Sequence, residues 1–232
     1  MKATLVAATL KRRTKGATDP AVALEELARM AETADLTVLE RFLIRLPVYN
    51  PSTLIGSGKV EELKKHVETE KPGLVIFDEE LSPAQQRNLE RELGVPVIDR
   101  TYLILEIFSR RARTREGKLQ VRLARFSYLL AHLSGKGTAM GQQQGMIGDR
   151  GPGERQLEYD RRTLRDKITE LKEELNSIRD ERATQRKNRD AVPMPQAAIV
   201  GYTNSGKSTL LNFLTAQKHA IYADDKLFAT LD

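Results

Sequence analysis

The chain has 232 residues, of which 40% are hydrophobic and 30% charged, with no cysteine and a formal net charge of +6. The lack of cysteine excludes disulfides and cysteine-bound metals and is typical of cytoplasmic proteins. The sequence has no apolar run of membrane length and opens without a signal peptide pattern, so we expect no membrane span and a cytoplasmic location.

The first hundred residues alternate short apolar stretches with helical patterns. Asp19 and Pro20 are typical of a helix start, and Ser82 to Gln85 form a predicted capping box. An alternation of strands and helices predicts a small parallel sheet covered by helices. We therefore predict an α/β fold with an N-terminal α/β domain over residues 1–108. The predicted strands lie within 4–8, 36–46, 73–77 and 95–98.

Residues 109–190 follow a different period. Apolar residues step by three and four from Leu119 to Leu133, and again from Leu164 to Ile178 after one seven-residue step from Leu157. This spacing predicts a long antiparallel helical hairpin whose second helix, about Glu154 to Asn188, would be roughly 50 Å long. A glycine-rich loop, residues 135–153, joins the two helices. Such a loop is either a simple hairpin tip or, as we favour, a segment that contacts a partner.

Basic residues cluster at the start of this hairpin. Between Arg110 and Arg125 the only acid is Glu116. On charge alone a solvated helix face is the simpler explanation, but the position beside a projecting glycine-rich loop favours binding to RNA. The candidate RNA-binding residues are Arg110, Arg111, Arg113, Arg115, Lys118, Lys136, Arg150 and Arg155.

A linker with two prolines, residues 191–196, precedes a phosphate-binding motif. Residues 201–208 fit the pattern G-x-x-x-x-G-K-[ST], between a predicted strand, 197–200, and a predicted helix, 208–214. In such a loop, backbone N–H groups and the helix N-terminus hold phosphates. Lys207 would reach the β- and γ-phosphates and Ser208 would ligate Mg²⁺. The motif comprises Gly201, Tyr202, Thr203, Asn204, Ser205, Gly206, Lys207 and Ser208.

No D-x-x-G and no N-K-x-D pattern follows the loop. Residues 197–232 therefore read as the incomplete beginning of a P-loop domain, and we expect the chain to be the front part of a longer protein. A second glycine-containing turn, residues 56–59, opens a predicted helix. We interpret it as a plain turn, because it is shorter than a full phosphate-binding loop.

Several stretches together resemble the HflX family of translational GTPases. The most specific is Gly148-Asp149-Arg150-Gly151-Pro152-Gly153-Glu154, and the final five residues are similar to the start of that family's switch I. The other matching stretches are 51–63, 77–89, 97–101 and 117–121.

The resemblance implies a cytoplasmic GTPase that binds the large ribosomal subunit and its rRNA, and that splits or rescues stalled ribosomes, notably under stress. It implies GTP as substrate and Mg²⁺ as cofactor, with Ser208 and Thr230 as the magnesium ligands. To the phosphate-binding loop it adds, as GTP-binding positions, Phe228, Ala229, Thr230, Leu231 and Asp232.

Two alternatives remain open from the sequence. The chain could be an RNA- or ribosome-binding module that needs no nucleotide, or the intact protein could be an ATPase, because no guanine-reading motif is present. No catalytic base is visible in these residues either. We therefore expect GTP hydrolysis from the intact protein and none from this chain.

Overall fold

The computed structural model divides the chain into two units, which are described separately. The first comprises Met1–Ile107 with Ala131–Leu157, and the second Phe108–Leu130 with Glu158–Asp232. The structure describes residues 1–10, 19–133, 152–190, 198–201 and 205–215, with the side chains of 158–184 in the longest helix.

The first unit contains a four-stranded parallel sheet in the order β2-β1-β3-β4. This confirms the predicted α/β fold with a small parallel sheet. The elements are β1 Lys2–Leu10, α1 Pro20–Thr33, β2 Thr37–Leu46, α2 Ser57–Glu70, β3 Leu74–Phe77, α3 Pro83–Leu93, β4 Val97–Asp99 and α4 Arg100–Arg111.

The core lies on both faces of the two central strands. Leu5 and Val6 of β1 and Ile76 and Phe77 of β3 are completely buried. A strand covered by helices on both faces is apolar throughout and does not alternate, and this is why these stretches read as continuous hydrophobic runs.

The predicted helix starts are confirmed. The Asp19 side chain accepts a hydrogen bond from the Ala21 N–H, and Pro20 is the first residue of α1. At α3 the Ser82 hydroxyl accepts from the Gln85 N–H, and the Gln85 side chain accepts from the Ser82 N–H. Both caps satisfy N–H groups that the helix itself leaves without partners.

The second unit contains most of an antiparallel helix pair, α5 Arg115–Leu133 and α6 Pro152–Asp190. Leu119 of α5 packs with Leu171 and Leu175 of α6, and Leu123, Phe126 and Ile178 extend the cluster. This confirms the predicted hairpin seam. Helix α6 begins at Pro152, so the last two residues of the predicted loop are helical, because proline suits the first turn of a helix. The rest of the glycine-rich loop, residues 135–151, lies outside the described residues.

One predicted element is wrong. Residues 198–200, predicted to be part of a buried strand, have no regular secondary structure, and Val200 is 89% exposed. A strand exists only through hydrogen bonds to neighbouring strands. Within the second unit the described residues form no strand with which this stretch could pair. The predicted helix that follows is present as α7, Lys207–Thr215, and the linker 191–196 lies outside the described residues.

Candidate functional site

The described part of the phosphate-binding motif curls back on itself. A side-chain carbon at Gly201 would lie 2.9 Å from the Ser205 Oγ atom and 3.7 Å from Cδ of Lys207. The Lys207 Nζ atom is 3.4 Å from the same Ser205 hydroxyl. A side chain at position 201 would force the Ser205 hydroxyl to move, whereas the stem of Lys207 lies at ordinary contact distance.

The loop ends where helix α7 begins. Gly206 has a φ of +80°, a conformation that side-chain-bearing residues rarely adopt. Its carbonyl accepts the N–H of Leu210 at 2.9 Å, the first hydrogen bond of the helix. Lys207 and Ser208 are half-buried in the first turn. This corner therefore presents a lysine, a hydroxyl and a helix N-terminus together, which is the set of groups that binds phosphate.

The remaining predicted nucleotide-binding positions lie outside the described residues. These are Tyr202, Thr203 and Asn204 within the loop, and Phe228, Ala229, Thr230, Leu231 and Asp232 near the end of the chain. Of the two predicted magnesium ligands, the structure places only Ser208. A hydroxyl in the first turn of a helix, directly after Lys207, has the chemistry expected of a magnesium ligand of the P-loop type.

The predicted RNA-binding residues fall in several places. Arg110 and Arg111 end α4, Arg113 precedes α5, and Lys118 lies exposed in its second turn. Arg115 donates to the Glu174 carboxylate at 2.7 Å across the hairpin, and this contact raises the pKa of the Arg115 guanidinium. Part of the basic run is thus neutralised by α6. Lys136, Arg150 and the side chain of Arg155 lie outside the described residues.

Sequence reasoning missed a group of carboxylates at the carboxyl edge of the sheet. Both Glu79 oxygens lie 2.9 Å from the Ala8 N–H, beyond the end of the β1–β3 pairing. Burial raises the pKa of Glu79 to about 7, and the neighbouring Asp78 charge adds to this against the opposing hydrogen bond from Ala8. Acids directly after a buried strand are the sequence pattern that indicates such a cluster, since carboxyl ends of parallel strands share one edge.

The neighbouring acids have structural partners. Asp78 accepts from Arg100 at 2.9 Å, and Arg100 also pairs with Glu26 at 2.9 Å. Fully buried Asp99 caps α4 by accepting the N–H of Tyr102 at 2.8 Å. Open parallel sheets often bind ligands where the strand order reverses, here between β1 and β3. At this position Glu79 instead ties the two strands together.

Three family models match successive parts of the chain. Residues 21–109 match the GTP-binding GTPase N-terminal model, 111–189 the GTP-binding GTPase Middle Region model, and 196–232 the model described as 50S ribosome-binding GTPase. The GTPase HflX of Magnetococcus marinus is 48% identical over 210 residues, covering 90% of this chain and 48% of that protein. The GTPase HflX of Escherichia coli K12 is 44% identical over 209 residues, covering 90% of this chain and 49% of that protein.

This chain belongs to the HflX family. It spans about half the length of the curated HflX relatives it matches. The phosphate-binding loop falls within the part matched by the 50S ribosome-binding GTPase model.

Solved structures give the same fold. A GTP-binding protein from the archaeon Sulfolobus solfataricus, in complex with GDP, aligns with a TM-score of 0.54 at 27% identity, over 93% of this chain and 54% of that chain. A second structure, of SsGBP with GDP, aligns with a TM-score of 0.57 at 24% identity, over 97% of this chain and 60% of that chain.

The described helices of this HflX-family chain include none with the length and apolar character that a membrane span requires.

Proposed function

We propose that this chain is the N-terminal portion of a GTP-binding protein that associates with the large ribosomal subunit. The observation that carries the proposal is the corner at which Gly201, Ser205 and Lys207 meet at the start of α7. Support comes from the GTPase HflX relatives and from the bound GDP named for the similar archaeal structure. The 50S ribosome-binding description of the model that matches residues 196–232 supports the choice of partner.

In this proposal residues 201–208 hold the phosphates of GTP. Lys207 contacts the β- and γ-phosphates, and Ser208, together with Thr230, holds Mg²⁺. The bound ion would neutralise charge that develops on the phosphates. Residues 228–232 act as the start of a switch segment that the γ-phosphate orders.

We further propose that the intact protein hydrolyses GTP and that this chain alone does not. Hydrolysis of a P-loop nucleotide depends on a positioned water and on charge stabilisation. After the loop, the sequence contains neither the D-x-x-G pattern nor the N-K-x-D pattern. Phosphate release measured with the purified chain should stay at the rate of buffer. Sustained release that Lys207→Ala abolishes would contradict this proposal.

The ribosomal role is proposed from charge and position. A cytoplasmic protein of this kind would split or rescue stalled ribosomes, notably under stress. Arg110, Arg113 and Lys118 are exposed at the base of the hairpin and could meet rRNA phosphates. The glycine-rich loop and its basic residues would reach farther into the subunit.

Co-sedimentation with purified 50S subunits tests this role. The chain should pellet with subunits at low salt and be released steeply as salt rises, because phosphate contacts release counterions. Deletion of residues 135–153 should abolish pelleting if the loop is the main contact. Equal pelleting with and without GTP, unchanged by Lys207→Ala, would favour the alternative of a nucleotide-independent RNA-binding module. A chain that stays in the supernatant at every salt concentration would contradict both.

A further inference from the structure

Helix α6 carries a row of basic side chains that the hairpin does not use. Arg165, Lys172 and Arg179 follow one another at intervals of seven residues and are all exposed. Seven residues make nearly two helical turns, so the three lie in one row that drifts by about 20° per step, with about 10.5 Å between neighbours. The sequence continues the row to Arg186, whose side chain lies outside the described residues.

The row flanks the seam of the hairpin and does not form part of it. Leu171 and Leu175 pack against α5. Leu171 directly precedes Lys172, and Leu175 lies about one helical turn before Arg179. At about 100° per residue, the basic row lies at one side of this apolar stripe. On the other side of the stripe Glu174 accepts from Arg115.

Among the side chains of α6 that the structure describes, no acid neutralises the row. Side chains three and four residues apart are neighbours on a helix surface, whereas adjacent residues point about 100° apart. At these positions around Arg165, Lys172 and Arg179 the sequence has only apolar, small, polar or basic residues. The acids Asp166, Glu173 and Asp180 directly follow the three basic residues and therefore point to the next face.

The partner helix offers no acid either. The only acid in α5 is Glu116, and its carboxylate pairs with Arg182 at 2.6 Å. Among the described side chains, Arg165, Lys172 and Arg179 have no ion pair, in contrast to Arg115 and Arg182. Three charges held in a row by a rigid helix, without partners, are suited to bind an external polyanion.

We propose that Arg165, Lys172 and Arg179 form a contact surface for the phosphate backbone of RNA. A membrane-surface helix would need apolar side chains beside the basic ones, and α6 uses its apolar stripe against α5. A protein partner would be expected to find an aromatic anchor, and the row has none. The identification of the polyanion as ribosomal RNA rests on the proposed function.

The test is a salt series with two triple variants. Arg165→Gln, Lys172→Gln and Arg179→Gln together remove the row. The matched control removes two arginines and one lysine from exposed positions in the first unit, which contains the sheet and is called the sheet unit below. Its substitutions are Arg45→Gln, Lys64→Gln and Arg91→Gln. Circular dichroism and thermal unfolding should be unchanged in both, because exposed substitutions of this kind have small effects on stability. Binding is measured to a fluorescein-labelled RNA duplex and, by co-sedimentation, to 50S subunits.

The plot of log K against log salt should be less steep for the row variant, by about 2 to 3 in slope for both probes. Each lost phosphate contact reduces the steepness by about 0.7 to 0.9. The control should keep the wild-type slope. A row variant with the wild-type slope on both probes would overturn this inference and leave the ribosomal proposal standing. A row-dependent slope on the duplex, with no binding to 50S subunits, would support the row and contradict the ribosomal role. Row-dependent binding to vesicles of anionic lipid, without binding to RNA, would overturn the assignment to RNA.

Discussion

At the scale of single residues, the two described glycines of the phosphate-binding loop have different constraints. Gly201 is limited by space, because a side-chain carbon would lie 2.9 Å from the Ser205 hydroxyl. Gly206 is limited by its backbone, with a φ of +80° and open space around it. The sequence motif identified both glycines as part of the loop. It could not say which constraint applies to which position, since that depends on how the loop folds back.

Gly206→Ala should therefore weaken nucleotide binding through backbone strain. A left-handed conformation costs a side-chain-bearing residue about 1 to 2 kcal/mol, so the loop should relax away from the shape that aims its N–H groups. Titration with a fluorescent guanine nucleotide measures the effect, which should be several-fold or more. Gly58→Ala is the matched control, because Gly58 lies in α2 with open space and without a positive φ. Equal affinity in all three proteins would contradict this explanation.

Glu79 gives the sheet unit a pH-dependent stability. Its pKa is raised from 4.5 to about 7 in the folded chain, mainly by burial. Between these values the unfolded chain loses the proton while the folded chain retains it, so stability falls as pH rises from about 4.5 to 7. Above pH 7 the loss is complete, at up to about 3 kcal/mol.

Glu79→Gln removes this titration and keeps an oxygen that can accept from Ala8. Urea unfolding followed by circular dichroism at pH 5 and pH 8 measures both proteins. The wild-type protein should lose more stability between the two values than the variant. Parallel pH profiles would show that Glu79 titrates normally in the folded chain. The position of Glu79 after a strand indicates an acid at the sheet edge, but its contact with Ala8, 71 positions away, cannot be predicted from local sequence.

At the scale of elements, local signals predicted most of the helices. The Asp19 and Ser82 caps involve residues two and three positions apart, and a seam of leucines predicts a hairpin because the helical period is fixed. The strand before the phosphate-binding loop failed as a prediction for the opposite reason. Its apolar sequence suits a strand, but pairing depends on other strands, and residues 198–200 have none among the described residues of their unit.

The seam also predicts how the hairpin responds to truncation. Leu171 is 6% exposed and packs with Leu119 and Leu175. Leu171→Ala should destabilise the helix pair by about 2 to 4 kcal/mol, through lost burial and the cavity left behind. Tyr159→Ala, at a side chain that is 66% exposed on the same helix, should change stability by less than about 0.5 kcal/mol. Urea unfolding monitored by helical circular dichroism compares the two. Similar effects would mean that the helices do not pack through this seam.

At the scale of the whole chain, each region has a distinct chemical character. The unit that contains the sheet has an apolar core, and the carboxylates at the sheet edge contact backbone N–H groups or Arg100, which is typical of a structural scaffold. The hairpin carries unpartnered basic charge on α6, and the last described helix begins with a phosphate-binding corner. The sequence predicted RNA-binding charge at the start of the hairpin and in its loop, but it does not reveal that one of these residues, Arg115, meets Glu174 across the hairpin.

The proposed function depends above all on contact between Lys207 and the phosphates of a bound nucleotide. Isothermal titration of magnesium–GTP into the wild-type chain and two lysine variants tests it most directly. Lys207→Ala should reduce affinity by about 10- to 100-fold, the effect of one charge-assisted hydrogen bond. Lys59→Ala is the control, because Lys59 also follows a glycine near a helix start. Since Lys59 pairs with Glu62, its loss should leave the affinity for GTP unchanged. Absence of GTP binding to the wild-type chain, or an equal loss in both variants, would show that Lys207 does not hold a nucleotide.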